Sequence, residues 1–144
     1  VTIDVGESRN IHPKNKQDVG ARLALLARNR VYGEDVVCYG PLFESMAVDD
    51  SQAILSFSHV DGGLVARDGR LREFVIAGED RAFVPAEAEI RGDRVFVSSP
   101  EVKRPVAVRY GWTNDPEGNL YNAAGLPASP FRTDDWPVDG VTVR

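Results

Sequence analysis

Ala53-Ile54-Leu55-Ser56-Phe57, set between the turn-forming stretches Asp49-Asp50-Ser51 and Asp61-Gly62-Gly63, decides how most of this chain folds. Short runs rich in Val, Ile, Phe and Tyr, separated by Gly, Asp, Asn and Pro, read as antiparallel strands. That texture starts after Gly33 and persists. It predicts strands near 35–39, 42–48, 53–59, 63–66, 73–77, 81–84, 87–91, 94–98 and 105–111. Asp68-Gly69 and Gly92-Asp93 are the expected tight hairpins. A series of short strands at this spacing reads as a β-sandwich, with 53–57 and Val95-Phe96-Val97 in its core.

Upstream of Gly33 the pattern differs. Val1-Thr2-Ile3-Asp4-Val5 is β-branched and alternating, which suits a strand, and Gly6 ends it. From Pro13 to about Arg30, Val19, Leu23, Leu26 and Ala27 recur at three- and four-residue steps, predicting an amphipathic helix. Lys14, Lys16, Arg22 and Arg28 fall to its solvated side, and Gly33 is the expected stop. One strand and one helix cannot bury an apolar stripe by themselves. They read as the last elements of an α/β layer whose remainder is missing from the chain. The expected division is therefore 1–33, the α/β elements, and 34–144, the β-sandwich.

From Trp112 onward periodicity is lost, yet Trp112, Tyr121, Phe131 and Trp136 make this too aromatic for a free tail. A long segment of this kind is expected to pack back over the α/β part and tie the two regions together. No internal repeat or low-complexity tract appears.

Composition narrows the function classes. The chain has 144 residues, about one domain's worth, and a formal charge of −5. That charge argues against a nucleic-acid partner, which calls for a basic stripe. No apolar run approaches the roughly 20 residues of a membrane span. The chain opens without an initiator Met, as a mature product or an excised piece would. Cys38, in the apolar run Val36-Val37-Cys38-Tyr39, has no partner for a disulfide and reads as an inert thiol. His12 and His59 share no ligand spacing with each other or with Cys38, so no metal site is expected.

The chemistry centres on Asn10-Ile11-His12-Pro13-Lys14-Asn15-Lys16. His12 falls on a loop between the expected first strand and the helix, where a rigid scaffold fixes a side chain and leaves it accessible. Histidine changes charge near neutral pH, so it could take a proton from a hydroxyl nucleophile. Local sequence alone favours the blander reading, in which His12 is a helix cap and Pro13 the first helical residue.

A wider set of residues resembles the sialate O-acetylesterases of the SGNH (GDSL-type) hydrolase superfamily. It comprises Ile3-Asp4-Val5-Gly6, Ile11-His12-Pro13-Lys14-Asn15-Lys16, Val19-Gly20-Ala21-Arg22-Leu23-Ala24-Leu25, Gly40-Pro41-Leu42-Phe43 and Gly62-Gly63-Leu64. It continues with Ile76-Ala77-Gly78, Val97-Ser98-Ser99-Pro100, Val106-Ala107-Val108-Arg109-Tyr110-Gly111-Trp112 and Gly125-Leu126-Pro127-Ala128-Ser129-Pro130-Phe131-Arg132-Thr133-Asp134. The resemblance runs to about Trp136. It implies a mostly β chain: an antiparallel β-sandwich preceded by the last strand and helix of an α/β (SGNH) hydrolase layer. It implies a serine-type esterase that removes acetyl groups from hydroxyls of sialic acid or a related glycan, with no metal or organic cofactor, in a secreted or periplasmic setting. His12 becomes the catalytic base.

The resemblance also implies what is lacking. The glycine-aspartate-serine nucleophile motif and the oxyanion-hole glycine and asparagine lie far upstream in the family, and none of them occurs here. Ser8, in Asp4-Val5-Gly6-Glu7-Ser8, does not stand in that motif. Many SGNH enzymes carry an aspartate three residues before the histidine; that position here is Arg9, with Asn10 next. The group orienting His12 is then Asp4, a carboxylate from the remaining portion, or a backbone carbonyl. The chain alone is expected to be inactive and to need an N-terminal hydrolase portion carrying the serine as its partner.

Two rival readings use the same residues. A non-catalytic module would bind carbohydrate through Trp112, Tyr121 and Trp136, or the sandwich would be purely structural. Arg132 and Asp134 serve either as substrate contacts or as an inter-domain ion pair.

Overall fold

The computed structural model describes residues 1–137 of the 144. Residues 138–144, the end of the expected second unit, lie outside the described residues.

Helix α1 spans Lys16–Arg30. Its cap is Asn15, whose side chain accepts from the Asp18 N–H at 3.1 Å and donates to the Asp18 carboxylate at 2.7 Å. Asp18 in the first turn and Arg28 and Arg30 in the last complement the helix dipole. Gly33, at φ +71°, reverses the chain so that the Glu34 N–H meets the Arg28 carbonyl. The helix thus starts later than the expected Pro13, and the capping role open to His12 belongs to Asn15.

Val1–Val5 forms no strand. A strand is held by ladder hydrogen bonds to a neighbour, and this segment turns instead, the Val5 N–H reaching the Thr2 carbonyl at 3.3 Å. The run 35–39 likewise carries no ladder; Asn29 holds it by donating to the Glu34 and Val36 carbonyls.

The expected β-sandwich forms, although the run 81–84 contributes only Val84 to a strand and 63–66 pairs outside the two main sheets. One sheet joins β1 (Leu42–Asp49), β2 (Gln52–Ser58), β7 (Arg94–Ser98) and β6 (Glu87–Arg91) in the order β1-β2-β7-β6. The other joins β10 (Phe131–Arg132), β8 (Ala107–Tyr110), β4 (Phe74–Ala77) and β5 (Val84–Pro85) in the order β10-β8-β4-β5. All of these pairings are antiparallel. A small pair, β3 (Leu64–Ala66) and β9 (Leu120–Asn122), stands beside them. Alternation puts Ala53, Leu55 and Phe57 inward opposite Val95 and Val97, while Ile54 and Phe96 pair on the other face.

Gly92-Asp93 makes the expected tight hairpin between β6 and β7. The second tight hairpin is Asp50-Ser51, with Asp50 at φ +50°. Asp68-Gly69 is a turn with both residues at positive φ, but it links β3 to β4 in different sheets. The dipeptide supplies the backbone geometry of a hairpin without fixing which strands pair.

The sheet edges are blunted. A bulge at Glu44 interrupts the edge strand β1, Glu87, Glu89 and Arg91 line β6, Pro85 closes β5, and β10 has two residues.

The segment after Trp112 supplies β9 and β10 and threads the core, where no element was expected. Asn122 is buried: its amide donates to the Tyr39 and His59 carbonyls at 3.0 Å each and accepts from the Leu126 N–H at 3.0 Å. Asn119 does the same for the 67–72 loop, bonding the Arg67 and Arg70 carbonyls and the Arg72 N–H. Gly40 has no side chain because the Pro127 backbone fills the space a Cβ would take. Among the described residues, no buried side-chain polar atom lacks a partner.

Candidate functional site

The loop bearing His12 is built from short local bonds. Glu7 accepts from the Lys14 N–H at 2.7 Å and from the Asn10 amide at 3.3 Å, closing residues 7–14 into a ring. The Asn10 N–H returns to the Glu7 carbonyl at 2.9 Å, and the Asn10 side-chain oxygen accepts from the His12 N–H at 2.9 Å. Asn10 therefore orients the backbone of His12 rather than its ring. The His12 side chain is exposed, and among the described residues none hydrogen-bonds its imidazole.

Asp4 is committed elsewhere. Arg22 grips it with two bonds, 2.6 and 2.7 Å, and the Tyr121 hydroxyl donates to it at 2.8 Å. The fork of a guanidinium matches a carboxylate in this way and uses both oxygens. The structure does not bring Asp4 to His12. Both members of the pair are well covered, with side chains 9% and 14% exposed. Burial pushes the Asp4 carboxyl up, but the hydrogen bonds from Arg22 and Tyr121 and the Arg22 charge outweigh it, leaving it below its ordinary 3.8. Burial, then the Asp4 bond and charge, push the Tyr121 hydroxyl to about 12. Arg22 was expected on the solvated side of the helix, and no local signal marks its partner, since Asp4 is a contact made only in three dimensions.

A cleft of about 640 Å³ separates this N-terminal region from the sandwich loops, lined by Asp4, Ser8, Arg22, Arg67, Arg72 and Tyr121 among others. His12 does not line it. Among the described residues, no three His, Cys, Asp or Glu side chains are grouped to hold a metal, and no helix is long and apolar enough to cross a membrane.

Arg132 and Asp134 belong to an ion-pair cluster on the second sheet. Arg109 bonds Asp134 at 2.7 and 2.8 Å, Arg132 stands 3.8 Å from it, and the Asp134 side chain is 1% exposed. The Arg109 hydrogen bond holds the Asp134 carboxyl below its ordinary value. Around it, Arg109 lies over Phe83 at 4.1 Å, and Trp136 packs on Phe83 at 5.7 Å. Trp136 and Tyr121 thus face different neighbours, and Tyr121 is 4% exposed. Tyr121 is packed away from Trp136, whereas half-buried Trp112 stands in the same cluster as Trp136, with Arg109 5.8 Å and Arg132 5.7 Å from its ring.

Stability should fall on the acid side through these two carboxylates. Folding lowers both pKa values, so their contribution is present above the unfolded value near 3.8 and is lost as pH falls through the lower folded values. Thermal melts are expected to keep a flat midpoint from pH 7 to about 5 and to drop below about pH 4. In an Asp134→Asn variant that drop should be shallower.

No family model matches the chain. It is similar to the sialate O-acetylesterases of Pongo abelii and Homo sapiens, each 30% identical over 132 residues covering 85% of this chain. It is also similar to a solved structure, a novel carbohydrate acetylesterase from Xanthomonas citri, at 50% identity and a TM-score of 0.88 over 92% of this chain. The chain spans 25% of the length of each curated relative and 31% of the solved neighbour.

Proposed function

Because this chain is a homologue of the sialate O-acetylesterases, we propose that it is the histidine-bearing, C-terminal portion of a carbohydrate O-acetylesterase. The observation that carries the reading is His12 itself. It stands on a loop pinned by Glu7 and Asn10, with its ring exposed and, among the described residues, not hydrogen-bonded. A serine supplied by the remaining portion attacks the acetyl carbonyl while His12 accepts the hydroxyl proton. His12 then returns that proton to the departing sugar oxygen, and water later releases acetate by the same proton relay. With Asp4 held by Arg22 and Tyr121, the group orienting the imidazole in this proposal is a carboxylate from the remaining portion or a backbone carbonyl.

The exposed apolar side chains support a missing layer. Ile11, Leu23, Val31 and Tyr32 are 91%, 62%, 74% and 74% exposed, and α1 has no buried residue. A helix of this composition is normally covered. The covering layer in this proposal is the hydrolase portion that the relatives' greater length leaves room for, and the substrate is an O-acetylated sialic acid or related glycan.

The test is acetate release from an O-acetylated sugar. The chain alone is expected to release none above buffer, and the chain encoded behind its upstream gene segment is expected to release it. Equal activity in both would overturn the proposal.

A further inference from the structure

We propose that Tyr121 is a positioning residue: by donating its hydroxyl to Asp4, it ties the base of the His12 loop to the β-sandwich. The inference rests on the function proposed above, because it assigns the sandwich a task in that reaction. Residues 1–14 have no ladder to hold them, and among residues 1–40 only Val5 is buried. Among the described residues, the Tyr121–Asp4 bond is the one hydrogen bond crossing from residues 1–33 to residues 41–137.

The two ends of this bond differ in stiffness. Tyr121 stands in β9, paired to β3, beside the fully bonded Asn122. Its ring is covered by Arg67, whose guanidinium lies 3.8 Å from the centroid and also donates to the Gly125 carbonyl. Asp4, on the other side, joins the segment leading into the loop to Arg22 on the helix leaving it. One hydroxyl therefore reaches both flanks of the loop, through Asp4 directly and through Arg22 by way of Asp4, while the far end of the helix is held separately by Asn29 and the 34–40 segment. A small misplacement of a general base costs a large share of its rate advantage, so this anchor has a catalytic consequence without touching substrate.

Tyr121→Phe removes the hydroxyl and keeps the ring under Arg67. Hydrogen exchange on the chain should show the amides of Val5, Asn10, His12 and Lys14 exchanging about tenfold faster, with the β2 and β7 amides unchanged. In the complete esterase the same variant should lower kcat about tenfold while KM stays within about twofold and the melting midpoint holds. Unchanged exchange in residues 5–14 overturns the tether. Faster exchange with an unchanged kcat overturns the positioning role. A His12→Ala control separates the two readings: if it keeps full activity the proposed function fails, and the exchange result still decides the tether.

Discussion

His12→Ala in the complete esterase is expected to lower kcat by about 10² to 10⁴, the range general acid–base catalysis supplies. The reason is the proton inventory. In the mechanism proposed above, the serine hydroxyl loses a proton as it attacks and the sugar oxygen gains one as it leaves; without the imidazole both steps would fall to water. The substitution should be silent for the fold. The ring is exposed and unbonded within the chain, and the loop is held by Glu7, Asn10 and backbone groups that alanine leaves in place. Melting should shift by no more than surface changes do, about 0.5 kcal/mol. Acetate release at the wild-type rate from a folded His12→Ala enzyme would remove this residue from the reaction.

Phe131→Ala should have the largest effect on stability. Its ring stacks on Phe43 at 4.8 Å and meets Phe57 at 5.6 Å, both from the first sheet. On the other side it meets Tyr110 at 5.7 Å and Phe74 at 6.4 Å, both from the second. Phe131 is 8% exposed and lies at the centre of this five-ring group. Its strand offers only two residues of pairing, so ring packing joins the Thr133 and Asp134 hydrogen bonds in holding β10 in place. Truncating such a phenylalanine costs about 3–5 kcal/mol through lost burial and the cavity left behind. That is a large fraction of a domain's total of about 5–15 kcal/mol. The midpoint should fall by about 10–20 °C, while Phe131→Leu, which refills most of the space, should cost under about half as much. A midpoint within about 3 °C of wild type for Phe131→Ala would show that the sheets do not depend on this ring.

What was legible in the sequence follows from how local each signal is. The alternation in 53–57 and 94–98 is a property of neighbours along the chain, and the strands form where it predicts. The turn at Gly92-Asp93 is equally local. The strand expected at Val1–Val5 needs a neighbour to pair with, and composition cannot supply one. Asp68-Gly69 has the conformation of a turn, yet which strands it joins is decided by the whole sandwich. The site divides in the same way. The loop that carries His12 is a local feature, ending at the Asn15 cap, whereas Arg22 and Tyr121 reach Asp4 across 18 and 117 positions and leave no trace in spacing. The segment after Trp112 was expected to bridge the two regions without structure of its own. Tyr121 does reach Asp4, but Phe131 and Trp136 turn into and onto the sandwich instead.

The guarded sheet borders, with their bulge, charged residues, proline and two-residue strand, shape how this molecule can grow. Another chain looking for free main-chain groups to zip onto finds little purchase along any of them. The most open of the large apolar side chains, Ile11, Leu23, Val31 and Tyr32, all stand within the first 33 residues, at the opposite extreme of the sequence from the C-terminal segment. In the esterase proposed above, a partner would therefore meet the N-terminal elements rather than a sheet border.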